Sequence, residues 1–392
     1  MNDTLYLAWR YLVYHRIKSA ILVLAIALIV LIPAVLQVLV RQGQQQLTSR
    51  AVTTPLLLGA KGSPLELTLN SLYYGSGVPE MIKYGDCSDV AYTENVDAIP
   101  LHVRFRSQSA PIVGTSLEYF DFRGLSVQEG ALLKRLGDCV VGANVARQRG
   151  LSAGDSVISS PESALGIADE YPLKMRITGV LASSATPDDD AIFVDLKTAW
   201  VIEGLGHGHF DLSDERAAEN VLSRDGNKIT ANASVRQYQE VTDENIRSFH
   251  FHGRRSTFPI TAVLALPEDR RSMSMLLGDY QDNDTVQLVR PVEVVEELLQ
   301  TVFAIQNLVL TALVLTGAVT LLLVVVVFVL SLKQRAREIE TMAKIGGSRG
   351  RILGVLATEV GFVIVLGVGI ASGLTWLTTI FAPQIVQQYL MG

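Results

Sequence analysis

Three stretches of this chain are too long and too apolar for ordinary core segments, and they constrain everything else. A helix that crosses a bilayer needs about 20 mostly apolar residues. Residues 19–40 carry no charge, and neither do residues 301–332, which include an unbroken apolar run at 321–330. A third stretch runs from 360 to about 382 and is rich in glycine (Gly361, Gly367, Gly369, Gly373). Small residues at this density let helices approach closely in lipid. Pro33 falls in the first stretch, where a spanning helix tolerates it. That stretch also exceeds the apolar core of a cleaved signal peptide, about 7–15 residues, so it reads as a retained helix. Composition agrees. Of 392 residues 49% are hydrophobic and 18% charged, against roughly 25% charged in soluble proteins. The net charge of −6 excludes a generally basic nucleic-acid binder, and two cysteines exclude a disulfide-dense or Cys-rich metal scaffold.

Positive charge near the spans sets orientation. The N-terminal piece carries Arg10, Arg16 and Lys18 against Asp3, a balance of +2. The loop after the second span carries Lys333, Arg335, Arg337, Lys344, Arg349 and Arg351 against Glu338 and Glu340, a balance of +4. Both belong in the cytoplasm. With Glu359 at −1, the remainder of the total, −11, falls on residues 19–332. The long segment between the first two spans is therefore acidic and extracytoplasmic. Leu5, Trp9, Leu12 and Val13 share one helical face, with Tyr6, Tyr11 and Tyr14 beside them. This predicts a helix lying along the inner leaflet; the alternative is a cytoplasmic start to the first spanning helix.

The expected fold class is a membrane protein with three transmembrane helices and a large α/β extracytoplasmic domain of two subdomains. The expected organisation is a cytoplasmic amphipathic helix (1–18), a first span (19–41), the α/β domain (42–300), a second span (301–332), a cytoplasmic loop (333–351), a third span (352–383) and an extracytoplasmic tail (384–392). Within the domain a membrane-proximal part covers about 52–100 and 256–291, and a distal part about 101–255. Alternation at 101–106 predicts a strand with Leu101, Val103 and Phe105 on one face. Short apolar runs predict strands at 111–113, 139–141, 175–181, 191–194, 260–265 and 286–289. Helices are expected at 64–72, 144–149, 196–202 and 269–277, and a polar loop or poorly ordered region at 204–253. Pro291 suits a first helical position, and Glu293, Glu296 and Glu297 complement the helix dipole. One continuous helix is expected from about 292, as a stalk, through the membrane to 334.

Residues 333–352 (KQRAREIETMAKIGGSRGRI) carry a basic run, a Glu-Ile pair, a short amphipathic segment and a Gly-Gly-Ser turn into the next span. Upstream lie VGTSLEYF at 113–120, Gly130, CVVGANVA at 139–146, GLSAGDSV at 150–157, ITGVL at 177–181 and DAIFVD at 190–195. Together these resemble the FtsX-like ABC-transporter permeases, the macrolide-exporter (MacB-like) and lipoprotein-releasing kind, over nearly the whole chain. The resemblance implies the non-catalytic permease subunit of a mechanotransmission transporter in a bacterial inner membrane, with its large domain in the periplasm. It implies as partners a separate ABC ATPase holding ATP and Mg, a second permease copy (homo- or heterodimer), a periplasmic adaptor or substrate-binding protein, and membrane lipids. It places ATPase coupling on Arg337, Glu338, Ile339, Glu340, Met342, Ala343, Ile345 and Gly346. Members usually have four spans, so three is a departure that bears on their dimer contacts.

The residues themselves agree with a non-enzymatic subunit. No GxxxxGK[ST] segment is present, so nucleotide hydrolysis must come from another chain, and no nucleophile-elbow serine motif occurs.

Four of six histidines form two His-x-His pairs, His207/His209 and His250/His252. Residues two apart in a strand face one side, so the pairs are a candidate Zn²⁺ or Cu²⁺ site; the alternative is a solvated loop without a ligand. Cys87 and Cys139 lie in an oxidising compartment, where a disulfide and two buried thiols are both open. The Asp188-Asp189-Asp190 run reads as a polar turn rather than a metal site. Two other functions compete with transport: a membrane-anchored regulator that switches a partner such as a wall hydrolase, and handling or sensing of divalent metal through the histidine pairs.

Overall fold

The apolar stretches form the long helices that their composition demands. The computed structural model describes residues 2–75, 77–160, 172–207, 221–225, 228–231, 239–344 and 348–391. The helices are α1 (Asn2–Tyr14), α2 (Arg16–Val52), α3 (Pro64–Tyr73), α4 (Tyr84–Ala91), α5 (Glu118–Arg123), α6 (Ala143–Arg149), α7 (Leu196–Ile202), α8 (Arg270–Tyr280), α9 (Pro291–Gln334), α10 (Ala336–Lys344) and α11 (Arg349–Met391). The strands are β1 (Leu56–Ala60), β2 (Ile82–Lys83), β3 (Val96–Ser107), β4 (Ala110–Thr115), β5 (Val127–Gly130), β6 (Asp138–Val141), β7 (Ser156–Ile158), β8 (Leu173–Leu181) and β9 (Ile192–Asp195). They continue with β10 (Gly206–His207), β11 (Val221–Asp225), β12 (Lys228–Ala231), β13 (Gln239–Glu240), β14 (His250–Phe251), β15 (Pro259–Ile260), β16 (Ala262–Pro267) and β17 (Val286–Val289). The chain divides into a helical unit (1–45 and 298–388) and an α/β unit (46–297, with 389–392).

In the helical unit α2, α9 and α11 are long and apolar enough to cross a membrane. Their side chains stay largely uncovered: Leu308, Val314 and Leu322 of α9 are 71%, 65% and 63% exposed. Such a surface needs lipid or another apolar partner, since monomers in water rarely carry a contiguous apolar patch of this extent. α1 is separated from α2 at His15, where Ser19 Oγ donates to the Leu12 carbonyl at 3.1 Å. Trp9 of α1 sits 6.0 Å from the Phe362 ring of α11. Leu12, Leu22 and Val363 join α1, α2 and α11 in one small buried cluster. Of the four glycines in the apolar stretch 360–382, Gly367 is the one that brings helices together: a Cβ there would lie 2.9 Å from Ile26 Cγ2 and 3.1 Å from the Val23 carbonyl. Gly361, Gly369 and Gly373 face open space.

The α/β unit is built on an 11-stranded sheet ordered β13-β8-β6-β9-β4-β3-β16-β1-β17, with β5 and β7 also paired to β8. Two cores pack on it. One gathers Leu56, Leu58, Val90, Trp200, Val263 and Leu276 among others. The other gathers Ile112, Cys139, Val141, Met175, Ile177 and Val194 among others. β3 serves both, with Val96 in the first and Phe105 in the second. Side-chain caps start the helices where the sequence supplies them. Ser63 accepts from the Glu66 N–H ahead of Pro64, Asp195 from Lys197, and Asp269 from Ser272.

Several details differ from the sequence reading. The proximal and distal parts share one sheet, and Leu196 and Trp200, read as distal, pack in the proximal core. β1, β2, α4, α5, β5 and β7 are additional elements. Residues 384–391, set off as a tail, continue α11 past Pro383. Within 204–253, read as loop, the described residues include the short strands β10 to β14. The disulfide does not form: Cys87 and Cys139 are free buried thiols, one in each core.

Candidate coupling site and histidine cluster

Arg335 is the single residue between α9 and α10. Its N–H is shared between the Ser331 and Leu332 carbonyls (3.2 and 3.1 Å), so the turn tightens there before α10 departs. Its guanidinium Nη1 donates to both Glu359 oxygens of α11, at 3.2 and 2.9 Å. The same group lies 3.4 Å from the centroid of the Tyr11 ring on α1. Arg335 and Glu359 are both buried. An ion pair beside apolar helices holds together because each charge satisfies the other. The start of α10 is thereby tied to α1 and α11 at once.

α10 is strongly amphipathic. Arg337 and Glu340 are exposed, while Ile339 and Met342 are half-buried. Glu340 pairs with Lys344 one turn on, at 2.8 Å. Ile339 lines an apolar groove with Leu332, Ala336, Ile352 and Leu353. The side chains of Glu338 and Ala343, and all of Ile345 and Gly346, lie outside the described residues.

In the α/β unit a second buried charge pair forms at the end of α2. Arg50 reaches Asp188, which lies in a 3-10 turn at Pro187–Asp190. Tyr74 and Tyr119 donate to the same carboxylate, at 2.6 and 2.8 Å. Burial alone would raise the Asp188 pKa. The Arg50 charge and the bonds from Arg50, Tyr74 and Tyr119 outweigh it and hold the carboxyl well below the usual carboxylate range. The turn is held from outside as well. A Cβ on Gly142 would lie 2.3 Å from the Asp188 carbonyl oxygen, so glycine alone fits there. Asp189 accepts from Ser183, Ser184 and Ala185, and Asp190 from Asn144. The Asp run is thus a structural turn.

β10 and β14 pair antiparallel with His207 opposite His250. His252 follows on the same face as His250 and is exposed. The three rings lie 4.7–4.9 Å apart, centroid to centroid. Ring nitrogens from the three residues fall within 4.8 Å of one another. His209, the fourth predicted ligand, lies outside the described residues.

A family model for the MacB-like periplasmic core domain matches residues 19–249, and one for the FtsX-like permease C-terminal domain matches 310–391. The chain belongs to the FtsX-like ABC permease family. Permeases of this family generally work with a separate ABC ATPase and are transporter subunits without a catalytic role. Among solved structures, the periplasmic region of MacB from Actinobacillus actinomycetemcomitans is 11% identical, with 65% of this permease and 98% of that chain aligned and a TM-score of 0.35. The extracellular domain of the noncanonic ABC-type transporter YknZ from Gram-positive bacteria is 12% identical, with 60% and 98% aligned and a TM-score of 0.33. Curated proteins returned no match.

The permease places the expected coupling segment on a helix, α10, within a residue or two of its anticipated bounds. Sequence reasoning missed the Arg335–Glu359 pair that seats this helix. A signal existed: Glu359 is the one carboxylate at the edge of the third apolar stretch, and an ionisable residue there implies a partner. It also missed Arg50–Asp188, for which no local spacing exists.

Proposed function

We propose that this chain is the transmembrane subunit of a mechanotransmission ABC transporter in a bacterial inner membrane. A separate ATPase docks on α10 in the cytoplasm. Closure of the ATPase on ATP moves α10, and the movement passes along α9 to the α/β domain in the periplasm. That domain then drives export or extraction of a substrate at the outer face. The chain binds no nucleotide of its own and works paired with a second permease copy.

One observation carries this reading. α9 is an uninterrupted helix of 44 residues that begins one residue after β17 and ends one residue before α10. At 1.5 Å per residue it is about 66 Å long, enough to cross the roughly 30 Å hydrocarbon core with length to spare. The chain therefore runs as one helix from the residue after β17 to the residue before α10, which supports a path between them. α2 adds a second link, ending at Val52 shortly before β1, the strand paired with β17.

The test is co-purification of the permease with its ATPase from membranes. Wild type should bring the ATPase down in stoichiometric amount, and Glu338→Lys with Ile339→Asp should lose it while the permease still inserts and melts normally. Retention of the ATPase by the double variant would overturn the docking assignment. Accessibility labelling that finds Lys344 outside the cell would overturn the orientation.

A further inference from the structure

We propose that His207, His250 and His252 form a binding site for a divalent first-row transition-metal cation, a feature that goes beyond coupling to an ATPase. The three residues come from two chain segments, and the β10–β14 pairing brings them together. Phe251, between His250 and His252, points to the other face. Its ring packs against both cores of the α/β unit. It also lies where a Cβ on Gly206 would stand, 2.6 Å away. The register that sets His207 opposite His250 is thus held by a partly buried aromatic contact, independently of any metal.

Ring chemistry supports ligation. His250 Nδ1 lies 3.1 Å from the Ser248 carbonyl. A carbonyl oxygen accepts and never donates, so Nδ1 donates in this contact and Nε2 is the ring nitrogen suited to an ion. A second ring nitrogen fixed by a backbone carbonyl is the usual way proteins orient a metal-binding imidazole. The ligand atoms already lie within 4.8 Å of one another. Tetrahedral zinc with bonds of about 2.0–2.1 Å holds its nitrogens roughly 3.4 Å apart, so small ring rotations complete the site. Among the described residues three imidazoles meet, and the fourth position of a tetrahedral ion falls to another donor. Imidazole selects zinc, copper or nickel over magnesium and calcium, which require oxygen donors. A bound ion would bridge residue 207 to residues 250 and 252, closing the base of the intervening segment.

The test uses the full-length permease in detergent, stripped with a chelator and titrated with Zn²⁺ by calorimetry. Wild type should bind one equivalent, with Mg²⁺ in large excess failing to compete. His252→Ala removes an exposed ligand that the fold does not need, and it should weaken Zn²⁺ binding at least tenfold without changing the metal-free melting temperature. The triple variant His207→Ala, His250→Ala, His252→Ala should bind no zinc at this site. Co²⁺ in wild type should give the visible absorption of a tetrahedral nitrogen site, and the triple variant should lack it. Equal zinc affinity in wild type and the triple variant, or no uptake by wild type, would overturn the proposal. Neither readout involves the ATPase, so its failure leaves the transport reading untouched.

Discussion

Arg50 and Asp188 are 138 residues apart in sequence and meet in a buried two-pronged ion pair, Nη1 to Oδ2 at 2.5 Å and Nη2 to Oδ1 at 2.9 Å. Arg50 is 6% exposed and Asp188 1%. Arg50 Nη2 also donates to the hydroxyls of Tyr74 and Tyr119, at 3.0 and 2.7 Å. The end of α2 is thereby fastened to the turn that precedes β9. Two charges out of water are tolerated because each is met by the other and by two phenols.

Removing one partner leaves the other charge buried and alone. Arg50→Ala should therefore destabilise the protein by about 3–5 kcal/mol. Thermal melting of the full chain in detergent measures this. Arg50→Lys should recover part of the loss but not all, because an ammonium cannot reproduce the fork. A melting point unchanged by Arg50→Ala would show that the pair does not hold the helix end.

The same carboxyl makes stability depend on pH. Its folded pKa is depressed, so the native state binds the proton more weakly than the unfolded state. The stabilisation is present above the unfolded value of about 3.9 and is lost as pH falls from there toward the folded value. Wild type should lose melting temperature more steeply between about pH 5 and pH 3 than Asp188→Asn does. Parallel curves for the two proteins would assign the acid sensitivity elsewhere.

Arg335 and Glu359 form the corresponding pair in the helical unit. Glu359→Gln or Arg335→Gln should lower the melting temperature and reduce the ATP turnover of the assembled complex. The exchanged pair Arg335→Glu with Glu359→Arg should restore much of both. A double-mutant cycle should return a coupling of about 0.5–3 kcal/mol. Additive effects would mean that the two side chains act separately.

Burial pushes the Cys87 thiol up to about 12 against the pull of Arg255. It raises Cys139 further still, with Asp138 adding to the effect. Neither is a ready nucleophile. A maleimide should label neither residue in the native protein and both after denaturation, and reductant should leave the melting temperature unchanged. Labelling of a single cysteine in the native state would contradict the buried positions.

Much of this architecture was legible in the residues. Uncharged apolar runs give α2, α9 and α11, since nothing but a helix satisfies its own backbone over such lengths. Pro291 and the following glutamates locate the start of α9. The alternation at Leu101, Val103 and Phe105 marks β3, and all three are buried. Buried His102 on the opposite face was not foreseen, because alternation assumes one wet face and this strand has two covered ones. Short β1 was hidden behind the end of the first span. The His-x-His spacing suggests one face for His250 and His252, but only strand pairing brings His207 to them. Asp188 looked like any turn aspartate, for its partner belongs to a helix far away in sequence.

β3 is a single run of 12 residues anchored at one end by Val96 and at the other by Phe105. Its first half pairs with β16 and its second half with β4, and no loop lies between the two halves. The two cores are therefore joined by unbroken backbone rather than by a linker. A displacement of β1 or β17 would thus meet unbroken main chain on its way to β4 and β9, with no linker in between to absorb it.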